Sequence, residues 1–342
     1  MEYDLDSPPS FLVEGLAKAD MVYHLAGVNR PERGTEFQEG NVALTANICD
    51  ILRRLDRAPY LLLSSSYQAI LDSPYGLSKR QAEDIVFEFG RETGASVFVF
   101  RLPGVFGKWC RPNYNSVVAT FCYNIARNLP ITVSDPSKEI ELVYIDSLVR
   151  TFIGIMNDQP PASNGIFCVV GSTYRITLGA LANTICGFQK SRINLVLPEM
   201  KDPFLRALYA TYISYLPQDQ FAYSLTQKSD FRGELAELLK SHNIGQIFVS
   251  RTRPGSGRGH HYHDTKVEKF VVLEGHAMIR LRHVLGGDDI EYPVSGQEFC
   301  VIEIPPGYAH AIENIGKEDL VMLFWSDEIF DPITPDTYAM KV

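Results

Sequence analysis

Hydrophobic positions along this chain fall into two styles. From Met21 to about Gln189, short apolar or β-branched runs alternate with longer amphipathic stretches. The runs Met21 to Ala26, Tyr60 to Ser64, Ser96 to Phe100, Ile140 to Tyr144 and Ile166 to Val170 predict strands. Glu36 to Leu55, Tyr75 to Phe89 and Asn115 to Asn128 predict helices, and Thr177 caps one more through Cys186. Apolar strands alternating with helices predict a parallel, doubly wound α/β sheet covered on both faces. After Leu216-Pro217 the style changes. Gln246 to Ser250, Lys269 to Leu273, Ala277 to His283, Phe299 to Ile304 and Leu320 to Trp325 read as short strands separated by Gly, Pro and Asp turns. That spacing predicts an antiparallel, all-β barrel or sandwich. The expected division is a first domain over 1–217, a linker over 218–224 and a β domain over 225–342.

Composition narrows the function. A chain of 342 residues is long enough for two cores. Its net charge of -9 argues against a nucleic-acid or membrane-surface partner, so an anionic ligand needs basic residues that converge locally. Six cysteines with no CxxC pair read as reduced thiols. The opening MEYDLDSPPS has neither the basic nor the apolar region of a signal peptide, and no apolar run reaches a membrane span. The expected compartment is the cytoplasm.

In the first domain, Leu61-Leu62-Leu63-Ser64-Ser65-Ser66 brings hydroxyls to the carboxyl end of a buried strand, where open α/β sheets bind ligands. Tyr75 and Lys79 are four apart and share one helix face. An ammonium beside a phenol favours phenolate, lowering the phenol pKa, and a phenol so poised can pass a proton to a ketone under reduction. With His24-Leu25-Ala26-Gly27 at a strand end and Arg101-Leu102-Pro103-Gly104-Val105-Phe106-Gly107 downstream, the domain resembles the extended short-chain dehydrogenase/reductases that act on nucleotide sugars. The resemblance implies a Rossmann-like fold with NADPH bound along Leu25, Ala26, Gly27 and Arg101. It implies Tyr75 as the acid, Lys79 as its tuner and ribose anchor, and Ser66 as the carbonyl holder, with Ser65 the second candidate. YxxxK alone arises by chance on many helices; four segments in order carry the assignment.

That family opens with a strand and a Gly-rich loop that seats the pyrophosphate on a helix N-terminus. No GxxGxxG precedes His24 here, so the first strand and loop are missing from the pattern. Two expectations follow: the sequence begins late, which we favour, or the domain holds a dinucleotide weakly. Further on, Lys108-Trp109-Cys110-Arg111-Pro112-Asn113-Tyr114-Asn115-Ser116 stands where such enzymes carry their sugar-nucleotide loop. Arg111 and Asn115 would then meet phosphate or sugar; equally, Trp109 and Tyr114 would simply pack.

The β domain carries the most specific signal. Gly255 is followed by His261-Tyr262-His263, Glu268 and Gly275, and later by Pro305-Pro306-Gly307, His310 and Asn314. Residues two apart on a strand share a face, so His261 and His263 both point inward. Three imidazoles and a carboxylate suit a divalent first-row metal: zinc, nickel, iron or manganese. These residues resemble the two motifs of the cupins (jelly-roll barrels), matching the first at every fixed position; the leading glycine of the second is displaced to Gly296. Asp230 to Glu237 resembles a segment of the dTDP-4-keto-6-deoxyhexose 3,5-epimerases that helps bind nucleotide sugar, which brings in Arg232. Arg251, Arg253 and Arg258 cluster on the approach to His261 and read either as a diphosphate grip or as a solvated loop.

Taken whole, with HLAGVNRPE, KWCRPNYNS, SYLP and FDPITPDTY, the chain resembles the bifunctional capsular polysaccharide enzymes, which epimerise and then reduce a UDP-2-acetamido-2,6-dideoxy-4-hexulose. The resemblance implies UDP-N-acetyl-talosamine as product, on the route to N-acetyl-L-fucosamine, a homodimer, and zinc on His261, His263, Glu268 and His310. Tyr308, Lys269 and a ligand histidine stand as candidates for the epimerase base. The rival readings are a cupin dioxygenase or isomerase with a vestigial Rossmann partner, and a non-catalytic nucleotide-sugar binder.

Overall fold

The computed structural model describes residues 1–4 and 6–342. The chain forms two compact units: Met1–Asn183 with Ala210–Tyr215, and Thr184–Tyr209 with Leu216–Val342. The first unit thus ends where the sequence pattern changes. The second also takes up 184–209, whose Val196 bridges to Lys240.

In the first unit, α1 (Pro9–Lys18), β1 (Met21–His24), α2 (Leu44–Arg54), β2 (Tyr60–Ser66), α3 (Pro74–Thr93) and β3 (Val97–Leu102) succeed one another. They lead to β4 (Gly104–Phe106), α4 (Val117–Ala126), β5 (Glu139–Tyr144), α5 (Ile145–Met156), β6 (Ser163–Asn164), β7 (Phe167–Cys168) and β8 (Tyr174–Thr177). The main sheet runs β1-β2-β3-β7-β6, parallel except for β6 against β7; β4, β5 and β8 form a second, mixed sheet. The all-parallel expectation therefore holds for the core strands only.

Strand alternation builds a core on each face of this sheet. Leu61, Leu63 and Val99 pack with Ile48 and Leu52 of α2 and with Val86 and Phe89 of α3. Leu62 and Phe100 turn the other way, onto Leu148, Phe152 and Ile155 of α5. Each such side chain, fully buried, contributes roughly 2 kcal/mol. Helix α3 is punctuated as its sequence dictates. Ser73 accepts a hydrogen bond from the Gly76 amide at 3.1 Å, Pro74 occupies the first turn, and Gly94 ends the helix at φ 74°.

The second unit is a two-sheet β barrel. Its strands are β9 (Gln227–Asp230), β10 (Gly233–Ser241), β11 (Gly245–Thr252), β12 (Gly257–Tyr262), β13 (Glu268–Glu274) and β14 (His276–His283). They continue as β15 (Ile290–Ser295), β16 (Val301–Ile304), β17 (Tyr308–Asn314), β18 (Leu320–Ser326) and β19 (Tyr338–Ala339). One sheet orders β16-β13-β18-β11-β10-β9 and the other β15-β14-β17-β12-β19, every pairing antiparallel. Phe270, Ile279, Leu281, Ile304, Ile312, Met322 and Phe324 fill the space between them. Gly275 turns β13 into β14 at φ 90°, and a Cβ there would lie 2.9 Å from the Asp319 carbonyl, so only glycine fits.

Candidate functional site

Two sites emerge, one in each unit. In the first, Tyr75, Lys79 and Glu83 line one face of α3 at intervals of four. The Tyr75 phenol faces the Ser66 side chain at the end of β2, and its ring lies 5.8 Å from that of Phe37. The half-buried phenol is pushed above its ordinary pKa by desolvation, which outweighs the opposing effect of the Ser66 hydroxyl. The expectation of a depressed phenol is thus corrected: burial sets the direction, and the Lys79 ammonium is not among the groups that move it. Lys79 is buried, donates to the Ser64 carbonyl at 3.0 Å, and is itself pulled down to about 8 by burial.

Ser65 turns away from Tyr75. Its hydroxyl donates to the carboxylate of Glu83, which is 1% exposed and also receives Arg101 through Nε at 3.0 Å and Nη2 at 2.6 Å. Of the two serine candidates, Ser66 alone meets the phenol. Arg101 is committed to Glu83 and stacks 3.8 Å from the Phe167 ring centroid. Gly27 passes so close that a Cβ there would sit 2.8 Å from Asn41 Oδ1 and 3.1 Å from Lys79 Nζ. Asn41, in a π-helical turn over Gln38–Ala43, receives the Val28 amide at 2.7 Å and donates to Ser78 Oγ at 2.9 Å. It ties the His24–Val28 segment to α3, a role the sequence reading missed, as it missed Glu83. Leu25 and Ala26 are exposed beyond β1. Arg111 and Asn115 are exposed, with the Arg111 guanidinium 5.1 Å from the Tyr114 ring.

In the second unit, His261, His263, Glu268 and His310 converge, each offering one ligand atom within 4.8 Å of the others. Strand register brings this about. His261 on β12 pairs directly with His310 on β17, after a bulge in which Gly259 takes φ 94° and His260 φ 58°. The bulge turns His260 outward, as expected. Glu268 opens β13 in the facing sheet, its Oε2 3.1 Å from His263 Nε2 and 3.5 Å from His310 Nε2. Burial draws the His310 pKa down to about 4 and lowers that of His261; the Glu268 carboxylate raises His263 against its own burial. Two imidazoles biased towards the neutral form, a third held against Glu268, and a carboxylate below its usual range form a donor set that fits a divalent first-row ion.

A cavity of about 400 Å³ opens on these four side chains. Lys228, Arg232, Arg258 and Lys266 line it beside Glu237, so cations predominate. Here the sequence reading needs correcting. Arg251 lies between buried Ser250 and Thr252 on β11, so the two-residue period turns it out to Glu234 and Asp319; Arg253 follows the strand, also exposed. Neither lines the cavity. Nor do two candidate bases: Lys269 alternates outward from Glu268 to pair with Glu303, and Tyr308 packs edge-on against His283 at 4.9 Å. Lys266, 4% exposed yet lining the cavity, went unnoticed because it sits in a loop without periodic signal.

A tyrosine–lysine–serine group at the carboxyl end of a parallel sheet, joined in one chain to a three-histidine, one-carboxylate barrel, defines a class of protein with two separate reaction sites. Known proteins agree with that division. Residues 3–169 match the NAD dependent epimerase/dehydratase family, which brings a nicotinamide dinucleotide to the first unit, and residues 228–338 match the polysaccharide biosynthesis C-terminal domain. The UDP-2-acetamido-2,6-beta-L-arabino-hexul-4-ose reductase of Pseudomonas aeruginosa is 45% identical over 331 residues, 97% of this chain and 88% of that protein. The capsular polysaccharide assembling protein CapF from Staphylococcus aureus superposes with a TM-score of 0.91 at 44% identity, covering 98% of this chain and 91% of that one. The chain belongs to the family of the UDP-2-acetamido-2,6-beta-L-arabino-hexul-4-ose reductase. Among the described residues, no helix is long and apolar enough to cross a membrane.

Proposed function

We propose that the chain modifies a UDP-linked 2-acetamido-2,6-dideoxy-4-hexulose in two steps for capsular polysaccharide synthesis. The barrel inverts carbon 3, and the first unit then reduces the carbon-4 ketone to UDP-N-acetyl-talosamine, on the route to N-acetyl-L-fucosamine. NADPH supplies the hydride when bound, and a zinc ion on His261, His263, Glu268 and His310 supplies Lewis acidity. The observation that carries this reading is the pairing, in one chain, of Tyr75 one helical turn from buried Lys79 with four barrel side chains whose ligand atoms lie within 4.8 Å of one another.

In the reduction, Ser66 holds the carbonyl oxygen and Tyr75 gives it a proton as the alkoxide forms. Lys79 keeps a positive charge beside both groups and anchors the ribose. In the barrel, a 4-ketone acidifies the carbon-3 proton; a cavity base removes it to give an enolate, and a proton returns on the opposite face. With the imidazoles and Glu268 assigned to the metal, Lys266, Lys228 and Glu237 are the remaining proton-carrying groups on that cavity wall, and Arg232 and Arg258 are suited to the diphosphate. The protein acts as a homodimer in the cytoplasm on this reading, which sedimentation can check. Following absorbance at 340 nm with the UDP-linked 4-hexulose tests the assignment: steady NADPH oxidation is expected, and none at any substrate concentration overturns it.

A further inference from the structure

The chain beyond β18 returns to the loop that joins two of the barrel's four converging side chains. One residue there makes five hydrogen bonds to residues 263–266. The Asp336 carboxylate accepts the backbone amides of Asp264 at 2.8 Å, Thr265 at 2.9 Å and Lys266 at 2.9 Å, together with Thr265 Oγ1 at 3.0 Å. Its own carbonyl accepts His263 Nδ1–H at 2.5 Å. Those three amides lie between His263 and Glu268, so one carboxylate sets the shape of the connection. Just beyond, β19 pairs with β12, aligning Ala339 with His261 and stacking Tyr338 on Tyr262 at 5.2 Å.

The consequence is chemical as well as mechanical. A histidine whose Nδ1 donates to a carbonyl presents the lone pair of Nε2, and that Nε2 faces Glu268. The carbonyl cannot wander, because its own side chain is pinned by three consecutive amides. We propose that Asp336, outside both histidine motifs, is a positioning residue for the metal centre, fixing the His263 tautomer and the backbone on which His263, Lys266 and Glu268 stand.

The inference rests on reading the four side chains as metal ligands. Zinc affinity of the full chain, by competition with a chromogenic chelator, separates the two: if the wild type binds no zinc, the ligand reading fails. If it binds, Asp336→Ala is expected to bind roughly 10- to 100-fold more weakly, the range for loss of a group that orients a metal-bound histidine. Asp336→Asn, which keeps one acceptor oxygen, is expected to fall between. The cobalt-substituted forms add a readout that a merely structural cap leaves unmoved: the visible ligand-field bands of Asp336→Ala should shift relative to wild type. Zinc affinity within about twofold of wild type and an unchanged cobalt spectrum would overturn the proposal. Should the alanine variant not fold, the asparagine variant decides by the same two readings.

Discussion

His310 Nε2 lies 3.5 Å from Glu268 Oε2, although β17 and β13 belong to opposite sheets of the barrel. An ion held by both would clasp the sheets together at one end of the cavity. Chelation of the metal-loaded protein is therefore expected to lower the unfolding temperature of the barrel. At a thousandfold excess of metal over its dissociation constant the stabilisation is about 4 kcal/mol. His310→Ala should start lower and no longer respond to chelator, which paired thermal scans would measure.

Each site is built within its own unit, so the two activities should separate by mutation. Tyr75→Phe removes the proton donor and should cut ketone reduction by at least roughly 100-fold. Exchange at carbon 3 should continue. His261→Ala should do the reverse. Loss of both activities in either variant, followed by NADPH consumption and carbon-3 exchange in parallel assays, would contradict independent sites.

Ser65 and Ser66 are neighbours with different partners, and their alanine variants should differ in kind. Ser66→Ala removes the group that meets Tyr75 and should cost roughly 100-fold in kcat, the scale for a lost oxyanion donor. Ser65→Ala leaves Glu83 with Arg101 alone and should cost stability, about 1–3 kcal/mol, with kcat near wild type. Steady-state kinetics beside thermal unfolding distinguishes these outcomes.

Acid should weaken the first unit through His24. Burial, assisted by the nearby Lys79 charge, pulls this imidazole from 6.5 to about 4 while its Nε2 contacts Thr45 Oγ1 at 2.8 Å. Between those pH values the unfolded chain takes up a proton that the folded chain refuses, so stability falls as pH drops through the window. The shift corresponds to roughly 3 kcal/mol. His24→Gln should flatten that part of the stability profile; an unchanged slope from pH 6.5 to 4 would count against a buried neutral His24.

Much of this was legible in the residues, and what escaped did so for identifiable reasons. Period and composition exposed β2, α3 and, in the barrel, β11, β13, β14, β16 and β18, because their apolar positions repeat. Helix α5 was missed: Tyr144 at its start gives no side-chain cap, so no residue type announces it. The four converging barrel residues were legible because their spacing is fixed by strand alternation and by one turn. Arg251 was over-read, since closeness in sequence to His261 ignored which way the strand points it. Tyr75 was expected to be acidic because spacing reveals the ammonium and not the depth of burial. Lys266 and Asp336 reach the site from a loop and a distant terminus, and no local pattern foretells that.

Deuterium incorporation tests the two-step reading most directly. The UDP-linked 4-hexulose is incubated with metal-loaded protein in heavy water, with and without NADPH, and the sugar is analysed by mass spectrometry and proton NMR. One deuterium at carbon 3 without NADPH, and the same label in the reduced sugar once NADPH is added, is the expected result. Reduction of the ketone with the carbon-3 proton fully retained would contradict it.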